Sequence, residues 1–127
     1  MRYLLDTNLL CKETHPRVRN WILQHQLQIA LASMTVAEIA QGIASLPRGK
    51  RRAQLEIFLD EIMDDYPILP FDRSAALAWG NYVAHAGRPL PVRDSIIAAT
   101  ALANNLEIVT ENTRDFAGLE TINPIKQ

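Results

Sequence analysis

Short apolar segments alternate along this chain with longer segments in which apolar residues recur at helical spacing. The short segments predict strands at residues 3–5, 28–32, 68–71, 106–109 and 121–123. The longer segments predict helices at residues 16–27, 36–46, 50–64, 73–86 and 94–104. Strands separated by helices favour a parallel sheet, because parallel neighbours need a crossover connection. The sequence therefore predicts an α/β fold of three layers, with a central parallel sheet and helices on both faces.

Two of these elements indicate where they lie in the fold. Pro70 cannot donate a ladder hydrogen bond, so the strand at 68–71 is expected near an edge of the sheet. The helix at 94–104 is almost entirely apolar and is expected to lie deep against the sheet. In folds of this class, sites form beyond the carboxyl ends of the strands. Asp6 and Thr110 each follow such an end, so chemistry is expected there.

Size and composition exclude several classes of protein. The chain has 127 residues and a net charge of −1, which fits one domain spanning residues 1–127 and excludes a strongly basic coat protein for nucleic acid. Its single cysteine, Cys11, excludes a disulfide framework and a multi-cysteine zinc site. No apolar run reaches the ~18 residues of a membrane span, and Asp6 interrupts any signal-peptide core. We therefore expect a cytoplasmic protein without a membrane segment.

Carboxylates recur at predicted strand ends and helix starts. Each has a structural interpretation: Asp6 and Asp94 as helix N-caps, Thr35-x-x-Glu38 as a capping box, and Asp115 as part of a polar loop. Taken together they also form a set of hard oxygen ligands, which suits Mg²⁺ or Mn²⁺. The histidines show no ligand spacing, and phosphate-loop, dinucleotide and serine-hydrolase motifs are absent from the sequence. A carboxylate metal site is therefore the chemistry that these residues favour.

Segments of the chain carry a resemblance to a known family. They are Leu5-Asp6-Thr7-Asn8, Ser33-x-Thr35-Val36-Ala37-Glu38 with Gly42, Asp94-Ser95-Ile96-Ile97-Ala98-Ala99-Thr100, and Val109-Thr110-x-Asn112-Thr113-x-Asp115-Phe116. In this order they resemble the PIN-domain ribonucleases, and within them the VapC and FitB type toxins of bacterial toxin–antitoxin pairs. The resemblance extends over the whole chain.

The resemblance implies a PIN-like fold, a bound Mg²⁺ or Mn²⁺ and endonucleolytic cleavage of RNA by water. The family's acidic residues map onto Asp6, Glu38 and Asp94, and the fourth onto either Asp115 or Asn112. Asp6 and Asp94 are the expected metal ligands, and Glu38 and Asp115 are expected to orient water or a second ion. Supporting contacts to the metal site are expected from Thr7, Asn8, Thr110 and Asn112.

The resemblance also implies partners: an RNA substrate such as transfer or ribosomal RNA, a cognate antitoxin that blocks the acidic site, and a second copy of the chain. Arg48-Gly49-Lys50-Arg51-Arg52 is either a solvated helix start or a contact with the RNA backbone. Two alternatives remain: a catalytically weak PIN-like module that binds RNA or a partner, and a phospho-acceptor signalling domain. The second needs paired acids after the first strand, where Asp6 stands alone.

Overall fold

The computed structural model describes residues 1–11, 15–116 and 118–126. In these ranges the strands are β1 (Tyr3–Leu5), β2 (Ile29–Ala32), β3 (Ile68–Leu69), β4 (Glu107–Val109) and β5 (Thr121–Ile122). The α-helices are α1 (Thr7–Leu10), α2 (Pro16–His25), α3 (Ser33–Ala44), α4 (Lys50–Asp65), α5 (Arg73–Ala84) and α6 (Val92–Ala103). Short 3₁₀ helices span Gln26–Gln28 and Thr113–Phe116. The predicted order of elements is confirmed.

The described strands form one parallel sheet in the order β3-β2-β1-β4-β5. β1 and β4 are neighbours in register, with Leu5 opposite Val109, so their carboxyl ends lie side by side. β3 lies at an edge, as Pro70 predicts, because proline there interrupts no inner ladder. A phospho-acceptor domain of the flavodoxin-like type has the order 2-1-3-4-5. The observed order therefore argues against that alternative.

Two apolar cores lie on opposite faces of the sheet, because successive side chains of a strand point to opposite sides. Leu5 packs on one face with α2 and α4, through residues that include Val18 and Ile62. Leu4 packs on the other face with α6, through Ile97, and with Phe116. Both leucines are fully buried. The three-layer prediction is confirmed, and α6 lies against the sheet as its apolar sequence requires.

The starts of two helices differ from the prediction. α3 begins at Ser33, directly after β2, and Ala32 is its N-cap, so the capping-box interpretation of Thr35 and Glu38 is wrong. α6 begins at Val92 after Pro91, so Asp94 lies inside the first turn and is not the N-cap. In both cases the strand-to-helix or loop-to-helix junction sets the start of the helix. The acidic side chains are thereby left for contacts outside their own helices.

Other boundaries shift by a few residues. The sequence does not predict α1 as a separate helix, and residues 26–28 form a 3₁₀ turn where the sequence predicts the end of α2.

Within the residues that the structure describes, no helix combines the length and the hydropathy that a membrane crossing requires.

Candidate active site

Three of the four predicted acids follow a strand or lie in the first turn of a helix, and the fourth lies one turn further along its helix. Asp6 comes directly after β1, Glu38 lies in the second turn of α3, Asp94 in the first turn of α6, and Asp115 in the 3₁₀ helix after β4. Their charges act on one another: Asp6, Glu38 and Asp115 all raise the pKa of Asp94. The structure therefore brings these residues, distant in sequence, into one acidic site.

Asp6 is the buried centre of this site, with 3% of its surface exposed. Its backbone N–H donates to Val109 O at 2.9 Å, and its Oδ2 accepts a 2.8 Å hydrogen bond from Thr110 Oγ1. Thr110 Oγ1 in turn accepts from the backbone N–H of Asn112 at 2.9 Å. Burial raises the pKa of Asp6, the Thr110 hydrogen bond opposes that rise, and the Glu38 charge adds to it. Asp6 is thus a buried carboxyl group in a fixed orientation, and a nearby positive charge would stabilise its ionised form.

Glu38 is held from two sides. Thr7 Oγ1 lies 3.0 Å from Glu38 Oε1 and 3.1 Å from Thr35 Oγ1. Because a carboxylate only accepts, Thr7 donates its single proton to Glu38 and can accept one from Thr35. Arg93 Nη1 lies 3.8 Å from the other oxygen, Glu38 Oε2. Thr35 is fully buried in α3, so it anchors this chain of contacts to the fold.

Asp94 is the acid whose ionisation is most strongly disfavoured. Partial burial, followed by the charges of Asp6, Asp115 and Glu38, together raise its pKa to about 6. The start of α6 is fixed by Ser95, whose hydroxyl donates to Val92 O at 2.6 Å and accepts from Trp79 Nε1 at 2.9 Å. Asp94 is thereby held among carboxylates that repel it, which is the environment that a bound cation would relieve.

The two candidates for the fourth position have different surroundings. The charge of Asp115 acts on Asp94, and its side chain is partly buried. Asn112 is exposed, and its backbone N–H and C=O bond to Thr110 Oγ1 and to the Asp115 N–H respectively. Arg88 Nη2 donates to Arg114 O at 2.6 Å and ties this 3₁₀ helix to the loop before α6. The geometry favours Asp115 as the acid and Asn112 as part of its backbone support.

Asn8 is the predicted site residue that the structure supports least. It is exposed on α1, and its side chain makes no hydrogen bond to the residues that the structure describes. Its backbone N–H lowers the pKa of the neighbouring Asp6. Asn8 therefore acts on the site through its backbone.

The donor set fits a divalent cation in its chemistry. The candidate ligands are carboxylate, hydroxyl and amide oxygens, which are ligands of Mg²⁺ and Mn²⁺. In the described part of the chain, no three acidic, histidine or cysteine side chains already converge closely enough to hold an ion. Ionised carboxylates repel one another, and a cation would offset that repulsion.

Sequence reasoning missed Arg93. Its Nη1 faces Glu38, and its Nη2 donates to Gln41 Oε1 at 2.9 Å, so it links α6 to α3. An arginine directly before Asp94 is visible in the sequence, but its approach to Glu38 depends on how the two helices pack. No local pattern could have identified it.

Known proteins are similar to this chain in sequence and in fold. The chain matches the PIN domain over residues 3–120. It is 34% identical to "VapC ribonuclease Y4jK" of Sinorhizobium fredii and 33% identical to "Toxin FitB" of Neisseria gonorrhoeae, each covering 95% of this chain and 96% of the relative. The crystal structure of FitAcB from Neisseria gonorrhoeae superposes with a TM-score of 0.86 at 31% identity, covering 98% of this chain and 99% of the other. The chain therefore belongs to the PIN-domain family.

Proposed function

We propose that this protein is a metal-dependent endoribonuclease, the toxin of a type II toxin–antitoxin pair, which hydrolyses structured RNA such as transfer or ribosomal RNA. One observation carries the proposal: Asp94 lies within reach of the charges of three other carboxylates at the carboxyl end of a parallel sheet. Such a site repels a phosphodiester unless a cation is present. The relatives named ribonuclease and toxin support the choice of reaction.

In this proposal the four acids have different tasks. Asp6, buried and bonded to Thr110, and Asp94, at the start of α6, hold Mg²⁺ or Mn²⁺. Glu38, oriented by Thr7, and Asp115 orient the attacking water. The bound cation would supply Lewis-acid chemistry, lowering the pKa of that water and offsetting charge on the phosphate. Because water attacks, and not the ribose 2′-hydroxyl, the products carry 5′-phosphate and 3′-hydroxyl ends.

The hydroxyl groups fix these carboxylates in place. Thr110 donates to Asp6, and Thr7 donates to Glu38, so each acid has a defined orientation before substrate arrives. Preorganised ligands of this kind lose little free energy to rearrangement during the reaction. The carboxylate oxygens that accept no such bond remain available to a cation or water.

The proposal includes partners and a location. A cognate antitoxin would block the acidic site, as expected for a relative of a protein named a toxin. A second copy of the chain would pair through exposed apolar side chains, of which Leu77 on α5 is 71% exposed. We place the reaction in the cytoplasm, where RNA is found, and assign it to a single domain spanning residues 1–127.

Metal removal and RNA end sequencing test the reaction. Purified protein should cut RNA with Mg²⁺ or Mn²⁺ and should stop when EDTA is added, because the charges that act on Asp94 are carboxylates and none is a histidine that could serve as the base. Asp94→Asn is the matched inactive control. Full activity in EDTA, or products with 2′,3′-cyclic phosphate ends, would contradict the mechanism.

Expression tests the biological role. The chain alone should arrest growth, and co-expression with the small protein encoded beside it should restore growth. Arrest by wild type but not by Asp94→Asn would tie the effect to the site. Harmless expression of wild type at high level, with no inhibitor present, would contradict the assignment as a toxin.

A further inference from the structure

A groove of about 390 Å³ opens beside the acidic site, between α1, α3 and α4. Its apolar floor includes Ile39, Leu55 and Phe58, and Glu38 is the one of the four acids that lines it. The volume falls in the range of ~300–1,000 Å³ that small ligands occupy. A ligand in this groove therefore contacts the acidic site at Glu38.

Two arginines line the same groove. Arg93 comes from α6 and Arg51 from the start of α4, and both side chains reach solvent. Together with Glu38 and the thiol of Cys11, they are the ionisable side chains among the described lining residues. Guanidinium groups bind phosphate oxygens in a bidentate geometry. The groove thus combines an apolar floor with cations at its rim.

We propose that Arg93 and Arg51 bind the RNA phosphate next to the scissile bond, with the attached base lying on Phe58 and its apolar neighbours. The inference rests on the proposed function, since it concerns how RNA approaches those acids. Arg93 links the two sites physically, because one nitrogen faces Glu38 and the other bonds to Gln41. In the complex, Arg93 exchanges its long 3.8 Å approach to Glu38 for the phosphate.

The lining of the groove matches a nucleic-acid strand in two respects. The base of an unstacked nucleotide matches a floor that carries an aromatic ring, and its phosphate matches the two arginines. The groove also leads to the acids that are proposed to cut a phosphodiester. Binding of a protein segment in place of RNA is the competing outcome of the experiment below.

Gly42 gives a way to close the groove without disturbing the fold. It lies on α3 in the groove lining, and a Cβ added there would meet no atom within 4 Å. Gly42→Leu therefore places a side chain in open space beside the floor. Gly80 on α5 also faces open space, so Gly80→Leu is a matched control outside the groove.

Equilibrium binding measures the contacts separately from catalysis. A short fluorescein-labelled single-stranded RNA is titrated at a fixed Mg²⁺ concentration and several salt concentrations, because the cation offsets the repulsion between the phosphodiester and the acids. Every protein in this titration carries Asp115→Asn, which is expected to slow cleavage and leaves the proposed metal ligands Asp6 and Asp94 in place. Arg93→Gln, Arg51→Gln and Gly42→Leu should each weaken binding about tenfold. Each arginine variant should also reduce the magnitude of the salt slope by ~0.7, the value for one lost phosphate contact on a single strand. Arg93→Lys should restore part of the affinity, because it restores the charge.

Arg2→Gln is the control for charge alone. Arg2 is exposed at the opposite end of β1 from Asp6, where it pairs with Glu107. Its removal changes the net charge equally and should leave RNA affinity within about twofold of wild type. Thermal melts of every variant establish that it is folded.

Cys11 supplies an independent footprint. It is the single cysteine of the chain, it is exposed, and it lines this groove. RNA bound there should slow alkylation of Cys11 in wild type and should not do so in Gly42→Leu. Arg51→Gln tests an arginine of the groove without altering a contact of Glu38, since no described contact joins Arg51 to Glu38.

Several results would overturn the inference. Unchanged affinity and salt slope in folded Arg93→Gln and Arg51→Gln would do so, as would equal losses in Arg2→Gln or Gly80→Leu. Protection of Cys11 by the co-expressed neighbouring protein, with none by RNA, would assign the groove to a protein partner and overturn the RNA assignment. Failure of wild type to cut RNA in Mg²⁺ would be recorded in a separate assay and would count against the proposed function.

Discussion

Thr110 Oγ1 donates a 2.8 Å hydrogen bond to Asp6 Oδ2, and this contact joins the carboxyl end of β4 to that of β1. Both residues are buried, and the Asn112 N–H donates to the same hydroxyl. The hydroxyl proton is therefore directed at Asp6. A buried carboxyl group held in this way keeps one orientation whether or not a cation is bound.

Thr110→Val should destabilise the protein and weaken metal binding. The change leaves the Asn112 N–H without its acceptor and removes the bond that opposes the raised pKa of Asp6. We expect a loss of about 1–3 kcal/mol in the free energy of unfolding, measured by urea denaturation. Half-maximal cleavage should require more Mg²⁺. Thr110→Ser should recover most of both losses, and a Thr110→Val protein with wild-type metal dependence would show that the hydroxyl group does not support the site.

Asp94→Asn should abolish cleavage while the metal-free protein keeps or gains stability. The substitution removes one of the repelling charges and also removes an anionic ligand. We expect a loss of at least ~100-fold in rate, which corresponds to ~2.7 kcal/mol of transition-state stabilisation. Mg²⁺ should raise the Tm of wild type and have little effect on the variant. Normal cleavage by Asp94→Asn, or a metal-free Tm of the variant far below that of wild type, would show that Asp94 has a structural role.

Stability in EDTA should fall as the pH rises through the acidic range. Burial and neighbouring charges raise the pKa of Asp94 to about 6, above its ordinary value of 3.8, so the folded state binds its proton more tightly than the unfolded state does. That contribution is fully present below pH ~4 and is lost as the pH passes the folded pKa. Asp6, whose pKa is also raised, acts in the same direction. Urea titrations between pH ~4 and pH ~7 measure the slope.

The matched control for this pH effect is Asp94→Asn, whose stability should depend less on pH across the same window. Saturating Mg²⁺ should also reduce the dependence in wild type, because the cation favours the ionised carboxylates. A wild-type protein whose metal-free stability rises across the lower half of that window would contradict the assignment of these raised pKa values.

Asp115→Asn should reduce cleavage more than Asn112→Ala does. The Asp115 charge acts directly on Asp94, whereas Asn112 contributes backbone groups that an alanine retains. Comparing kcat and the Mg²⁺ dependence of the two variants separates the alternatives that the sequence leaves open. A larger loss in Asn112→Ala would place the fourth function on the amide side chain of Asn112.

The order of elements could be predicted from the sequence because it depends on local properties. Short, mostly apolar segments such as residues 3–5 and 106–109 have the length of buried strands, and the helix before Asn104 has few polar residues to turn to water. The same patterns place Asp6 and Thr110 after strand ends. Those parts of the candidate site therefore follow from the order of residues alone.

The residues at which helices begin were harder to predict, because a capping motif and the end of the preceding strand or loop favour different start positions. Thr35-x-x-Glu38 has the composition of a capping box, but the junction with β2 starts α3 at Ser33 and directs Thr35 and Glu38 to Thr7. Asp94 likewise looks like a cap and lies inside α6. A capping motif involves only the few residues that form it. The residue at which the helix begins depends instead on where the preceding strand or loop ends, which the tertiary fold determines.

By itself the sequence determined the layered α/β fold, the acidic composition of the site and the strand ends at which Asp6 and Thr110 lie. Only the tertiary structure decided that Asp94 is surrounded by three other charges, that Thr7 orients Glu38, and that Arg93 reaches across from α6 to α3. Secondary structure follows from the spacing of apolar residues along the chain. Electrostatic coupling and hydrogen bonds instead depend on distances of a few ångströms between residues far apart in sequence, and those distances exist only once the helices have packed on the sheet.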